Sequence, residues 1–228
     1  MEKRRDSATA YIILADGFET IEALTPLDVL RRCGVEVTTI SLNQTRAVRS
    51  SHGVTVEADA TMEDFMHNCN CCASGTGTGT NSSIAGSSTS ASSSSTTAST
   101  STNVSGTMRQ ALILPGGYPG YKNLCESAEV GALITQFHKE GKLLCAICGA
   151  PTALKANQIC RGAAITCHTS VKEELTDYYS ILSSAVVKYM NIITGMGAGR
   201  SLDFAFAIAE ALTSKEKVEE IKAKMEII

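Results

Sequence analysis

Leu143-Leu144-Cys145-Ala146-Ile147-Cys148-Gly149-Ala150-Pro151-Thr152 is the stretch on which the fold turns. Residues 142–148 read as a short, continuous apolar strand, as expected for a parallel strand buried on both faces. Small residues follow, and a helix pattern over 151–159 stands directly behind them. A cysteine at such a joint has two advantages. The sharp turn pushes its sulfur out of the sheet, as in a nucleophile elbow. The following helix N-terminus favours negative charge, so the thiol ionises more easily. Gly149 and Ala150 keep the approach to the sulfur open. On spacing alone, Cys148 as nucleophile and Cys148 as a buried structural thiol both stand. Cys145, inside the strand, reads as structural.

Working outward, the same alternation recurs. Residues 11–15 form a continuous apolar strand, and 19–33 a helix with Ile21, Leu24, Leu27 and Leu30 near the helical period. Gly34 stops that helix, and residues 35–40 form the next strand, so the chain opens with a βαβ unit. Further strands are expected at 54–56, 111–114, 163–167 and 191–194. Helices are expected at 58–67, 128–140, 201–212 and 214–225. This order predicts an α/β sandwich with a mostly parallel sheet between layers of helices.

Residues 73–107 break the pattern. In that stretch 22 of 35 residues are Ser or Thr and none is charged. Such a composition buries too little apolar surface to offset the entropy of ordering. It reads as a disordered insertion in a single domain formed by residues 1–72 and 108–228.

Composition narrows the class. The chain has 228 residues, 43% of them hydrophobic, with formal net charge -3 and pI about 5.8. That is ample for one packed core, with no basic excess pointing to nucleic acid or an anionic membrane. The apolar run after the charged start is too short for a membrane span, so a cytoplasmic location is expected, with nuclear or mitochondrial pools compatible. Nine cysteines lack the short, regular spacing of a secreted disulfide framework. His67-Asn68-Cys69-Asn70-Cys71-Cys72 is too crowded for an ordinary tetrahedral zinc site, and no metal is expected.

Three other strand ends carry candidate chemistry. Leu114-Pro115-Gly116-Gly117 exposes backbone N–H groups at the carboxyl edge of a parallel sheet, where ligands bind and oxyanions can be held; an ordinary tight turn reads the same way. In Asp16-Gly17-Phe18-Glu19-Thr20-Ile21-Glu22, Glu22 can serve as general acid or base, or Glu19 and Glu22 can cap the helix N-terminus. The cap explains one of them well and both less comfortably. His168, in Thr166-Cys167-His168-Thr169, is a possible thiolate partner or a surface residue.

Taken together, these segments resemble the ThiJ/PfpI superfamily, and within it the DJ-one branch. The resemblance rests on 15–22, Leu27-Asp28-Val29-Leu30-Arg31-Arg32, Leu114-Pro115-Gly116-Gly117, 146–154, Thr166-Cys167-His168 and 204–212, in family order. It implies a flavodoxin-like three-layer sandwich and a homodimer. It also implies a reactive Cys148 hydrogen-bonded to a protonated Glu22, with His168 nearby and donors around Gly116, Gly117 and Gly149. The implied activity is that of a cofactor-independent glyoxalase or deglycase acting on methylglyoxal, glyoxal or their protein and nucleotide adducts. The other implied role is a redox sensor or chaperone in which Cys148 becomes a sulfinic acid.

Two neighbouring groups fit less well. The protease-like branch has a histidine directly after the nucleophile, where this chain has Gly149. Amidotransferases place His-x-Glu after the cysteine, and here His138-Lys139-Glu140 precedes it. The chain departs from its own branch in the insertion, the Gly149-Ala150 order and Met196.

Overall fold

A computed structural model describes residues 8–68 and 109–227. The disorder expected over 73–107 and most of the 67–72 histidine/cysteine cluster lie outside the described residues.

In chain order the elements are β1 (Thr9–Leu14), α1 (Thr20–Arg32), β2 (Glu36–Ser41), β3 (Ala47–Arg49), β4 (Thr55–Glu57), β5 (Ala60–Thr61) and α2 (Met62–Asn68). Then come β6 (Gln110–Leu114), α3 (Gly120–Glu126), α4 (Ala128–Lys139), β7 (Leu143–Ile147) and α5 (Pro151–Ala156). The rest is β8 (Ala164–Ile165), α6 (Lys172–Leu175), β9 (Ser180–Ile181), β10 (Val186–Tyr189), β11 (Ile192–Gly195), α7 (Ser201–Leu212) and α8 (Lys215–Lys224).

Seven strands form one sheet in the order β10-β11-β7-β6-β1-β2-β5. All its pairings are parallel except β10 with β11. The central strands β6, β1 and β7 alternate their side chains between two cores, as a period of two demands. Ala10, Ile12, Ala111, Ile113, Cys145 and Ile147 join the core shared with α1 and α7. Ile13, Leu112, Leu114, Leu144 and Ala146 join the one shared with α4 and α5. This is the α/β sandwich that the alternation of elements predicts, in the flavodoxin-like form that the family resemblance implies.

Local chemistry sets several element ends. Glu19 caps α1, its side chain accepting from Glu22 N. Gly34 closes that helix with φ 81°. Ser127 caps α4 by accepting from Val130 N, and Ser214 caps α8 through Lys217 N. The expected strand at 163–167 shrinks to Ala164–Ile165 and leaves the main sheet to pair with β9. Thr166 turns away because its N–H donates to Thr194 Oγ1 at 2.9 Å instead of to a strand. Residues 54–56 belong to β4, which pairs antiparallel with β3 in a separate ribbon. Helix α5 ends at Ala156 rather than 159, where Asn157 Nδ2 caps the Ala153 carbonyl.

Candidate active site

The carboxyl ends of β1, β6 and β7 bring Glu22, Gly116, Gly117, Cys148 and Gly149 together. Cys148 follows β7 with φ 64°, a left-handed conformation that is strained for a residue with a Cβ. The surroundings hold it there. Cys148 N–H donates to Gly195 O at 3.0 Å, and Cys148 O accepts from His168 N at 2.9 Å. Next door, Ala150 N–H closes a turn onto Ile147 O at 3.0 Å. The elbow expected from sequence is present. The helix behind it has only six residues, so the charge-stabilising groups are local: the backbone N–H groups of Gly117 and Gly149 favour the ionised sulfur.

Glu22 comes from the first turn of α1 and is fully buried. Its Oε2 accepts from Gly116 N at 2.9 Å. Its Oε1 is buried without a hydrogen-bond partner, and the side chain that interacts with this carboxyl is the Cys148 thiol. That contact is looser than a fully formed hydrogen bond, since Oε1 meets no partner at regular geometry. Burial raises the Glu22 pKa to about 7, the nearby Glu19 charge adds to the rise, and the Cys148 and Gly116 hydrogen bonds oppose it. Burial pushes the Cys148 thiol up to about 12, and the charge and hydrogen bond of Glu22 add to that. Both Glu22 contributions exist only while its carboxyl is ionised. A proton on Glu22 removes them and turns its O–H into a donor for the sulfur, so the two groups titrate as a coupled pair.

The two acids of the first loop thus divide their labour: Glu19 caps, and Glu22 faces the thiol.

The loop after β6 is shaped to fit against the loop after β1. Gly117 has φ 90°, and a Cβ there would come within 2.5 Å of Gly17 O and 2.6 Å of the Phe18 carbonyl carbon. Only glycine combines that conformation with that closeness. Glu19 N–H donates to Gly116 O at 2.9 Å, locking the loops together.

His168 reaches the site through its backbone. Its ring is exposed, and Nδ1 lies 2.8 Å from Ser170 Oγ while accepting from Ser170 N. The ring lies near Gly197, 3.4 Å from where a Cβ would stand. The sequence reading passed over Tyr118 and Tyr121. The Tyr121 ring covers Gly149: a Cβ on Gly149 would lie 2.7 Å from Tyr121 Cδ1. The signal was available in Gly117-Tyr118-Pro119-Gly120-Tyr121, two aromatics directly after the glycine turn and opening a helix, α3, that the sequence reading also missed.

Among the described residues, no group of three His, Cys, Asp or Glu side chains is placed to hold a metal ion. Their six cysteines are free thiols.

Residues 8–211 match the family model of the DJ-1/PfpI family. The chain belongs to the DJ-1/PfpI family. Its match to protein dj-1beta of Drosophila melanogaster is 32% identical over 216 residues, covering 94% of this chain and 95% of that protein. The crystal structure of Drosophila DJ-1beta superposes with a TM-score of 0.77 at 30% identity, covering 97% and 99% of the two chains. The glutathione-independent glyoxalase DJR-1.2 of Caenorhabditis elegans is 39% identical over 107 residues, 46% of this chain and 56% of that protein. Membership in the family agrees with the sandwich.

Proposed function

We propose that this chain is a cofactor-independent glyoxalase or deglycase that converts 2-oxoaldehydes, free or as adducts on protein and nucleotides, to 2-hydroxy acids. The observation that carries the reading is the buried Glu22 carboxyl, with Oε2 held by Gly116 N–H and the Cys148 thiol interacting with the same carboxyl. A general acid/base near neutrality beside a nucleophile is the pairing this chemistry needs. The glyoxalase name of the C. elegans relative supports it.

The steps follow from the pair. Glu22 takes the thiol proton as the sulfur adds to the aldehyde carbon, forming a C–S bond and an oxyanion. The N–H groups of Gly117 and Gly149, which favour negative charge on the sulfur, would be the donors taken over by this oxyanion. Glu22 returns its proton to that oxygen, giving a hemithioacetal and restoring its carboxylate. The carboxylate then carries the C1 hydrogen to C2 as a proton, while the hydroxyl proton passes from the C1 oxygen to the C2 oxygen. The product is a thioester, which water hydrolyses to the 2-hydroxy acid and free thiol. His168 orders the Cys148 carbonyl through its N–H, while its exposed ring is engaged with Ser170 through Nδ1.

One observation favours a second reading as redox sensor. A Glu22 that keeps its proton up to about pH 7 is a donor for a sulfinate at Cys148, formed with two equivalents of peroxide and release of two waters. The homodimer implied by the family resemblance and the cytoplasmic location expected from the sequence are part of the proposal.

The test is lactate formation from methylglyoxal without glutathione. Turnover by the wild type that falls at least ~1000-fold in Cys148→Ser supports the enzyme. No turnover, with selective peroxide oxidation of Cys148 to the sulfinate, moves the assignment to the sensor.

A further inference from the structure

The Tyr121 ring lies against the backbone next to the nucleophile, the Tyr118 ring pairs with it, and the proposed reaction steps use neither. Tyr121 is anchored to the glycine loop, its N–H donating to Gly117 O at 2.9 Å. Its ring lies against the backbone next to Cys148, since a Cβ on Gly149 would sit 2.7, 2.8 and 3.0 Å from Cδ1, Cγ and Cε1. Burial raises the Tyr121 pKa, and the Cys148 charge is among the further contributors. Tyr118 follows Gly117 directly and is 69% exposed. The two ring centroids are 6.3 Å apart and tilted by 56°, within the range of attractive aromatic pairs.

Packing accounts for Tyr121, which is half-buried against the α4 and α5 core. It does not account for Tyr118. An aromatic left in water forgoes a large burial gain, and this one stands at the loop that supplies the Gly117 donor. A flat group attached to C2 of a hemithioacetal on Cys148 would cover it and add a third ring to the pair. Methylglyoxal carries only a methyl there.

We propose that Tyr118 and Tyr121 form an aromatic wall beside Cys148 that selects 2-oxoaldehydes bearing a planar aromatic group over methylglyoxal. The inference rests on the glyoxalase reading and names its substrate class.

Phenylglyoxal and methylglyoxal test it on the full chain, with mandelate and lactate as products. Wild type is expected to show the higher kcat/KM for phenylglyoxal. The ratio of the two kcat/KM values should fall about three- to tenfold in Tyr118→Ala, mostly through KM for phenylglyoxal, the size of one aromatic contact. Tyr118→Phe, which keeps the ring, should retain the ratio. Tyr118 is exposed, so its variants keep the fold. An unchanged ratio in Tyr118→Ala overturns the wall. If wild type turns over neither aldehyde, the glyoxalase reading fails, and the wall is then decided by binding. Mandelate should protect Cys148 from iodoacetamide at a concentration at least about threefold lower than lactate in wild type, and with no such advantage in Tyr118→Ala. Equal protection of the wild type by the two acids overturns the wall.

Discussion

Gly116 donates its N–H to Glu22 Oε2 at 2.9 Å, joining residues 94 apart in the chain. The same glycine sits where Glu22 and Cys148 meet. A Cβ there would be 2.7 Å from Cys148 Cβ, 2.7 Å from Glu22 Oε2 and 3.0 Å from Ile147 O. The acid and the nucleophile are close because this one position has no side chain.

Gly116→Ala therefore drives the pair apart. We expect overpacking to cost about 1–3 kcal/mol in urea unfolding. Lactate formation from methylglyoxal should fall about 100-fold or more, the scale of general acid–base assistance. A variant with wild-type activity would show that the close approach is not needed.

The buried acid makes stability depend on pH. Its pKa rises from the ordinary 4.5 to about 7, so the folded protein holds this proton more firmly than the unfolded chain does. The stabilisation is fully present below about pH 4.5 and is lost as pH rises through about 7. The loss from this group is on the order of 3 kcal/mol. Glu22→Gln keeps the shape without the titration. Its unfolding free energy should lack this fall between pH 4.5 and 8, and should exceed that of wild type at pH 8. Parallel pH curves for the two proteins would refute the assignment.

His168 should matter less than the other two catalytic candidates. The backbone N–H that holds Cys148 O survives truncation, and the ring is exposed with Nδ1 engaged by Ser170. We expect His168→Ala to lower kcat/KM about tenfold or less, while Glu22→Gln lowers it by about 10²–10⁴. Equal losses would place the ring in direct contact with the reacting atoms.

The low-complexity stretch should be dispensable for activity. After residue 108 the chain re-enters the described residues at the amino end of β6, and Gly116 lies beyond the carboxyl end, roughly 17 Å along the strand. Deleting residues 73–107 should leave kcat/KM for methylglyoxal within about twofold of wild type, since connections of this kind tolerate changes of length. A folded deletion variant with no activity would refute this.

Much of the fold is legible in the sequence because its central strands are buried on both sides. Residues 11–15, 111–114 and 143–147 are apolar without a break, and no other arrangement shelters them so well. The Cys148 elbow shows for the same reason, at the junction where that run meets Gly149. Short edge elements carry no such signal. β10, with only four residues, is defined by its pairing to β11, and α3 holds two buried residues, Gly120 and Leu124. The separate duties of Glu19 and Glu22 are equally hidden, since local spacing permits both to cap. The difference comes from Gly116, which takes one of them. The place of Tyr121 is set by a neighbour 28 residues further on, Gly149, and Tyr118 stands out only through its pairing with Tyr121.

The borders of the seven-stranded sheet bear on how a second copy could be met. β5, at one end, offers two residues. β10, at the other, runs antiparallel, carries Lys188 and packs against β8. Neither border presents a long bare row of amides and carbonyls to another chain. Self-association by extending this seven-stranded sheet is therefore disfavoured, and a contact made elsewhere could be tuned by surface substitution without unravelling the sheet.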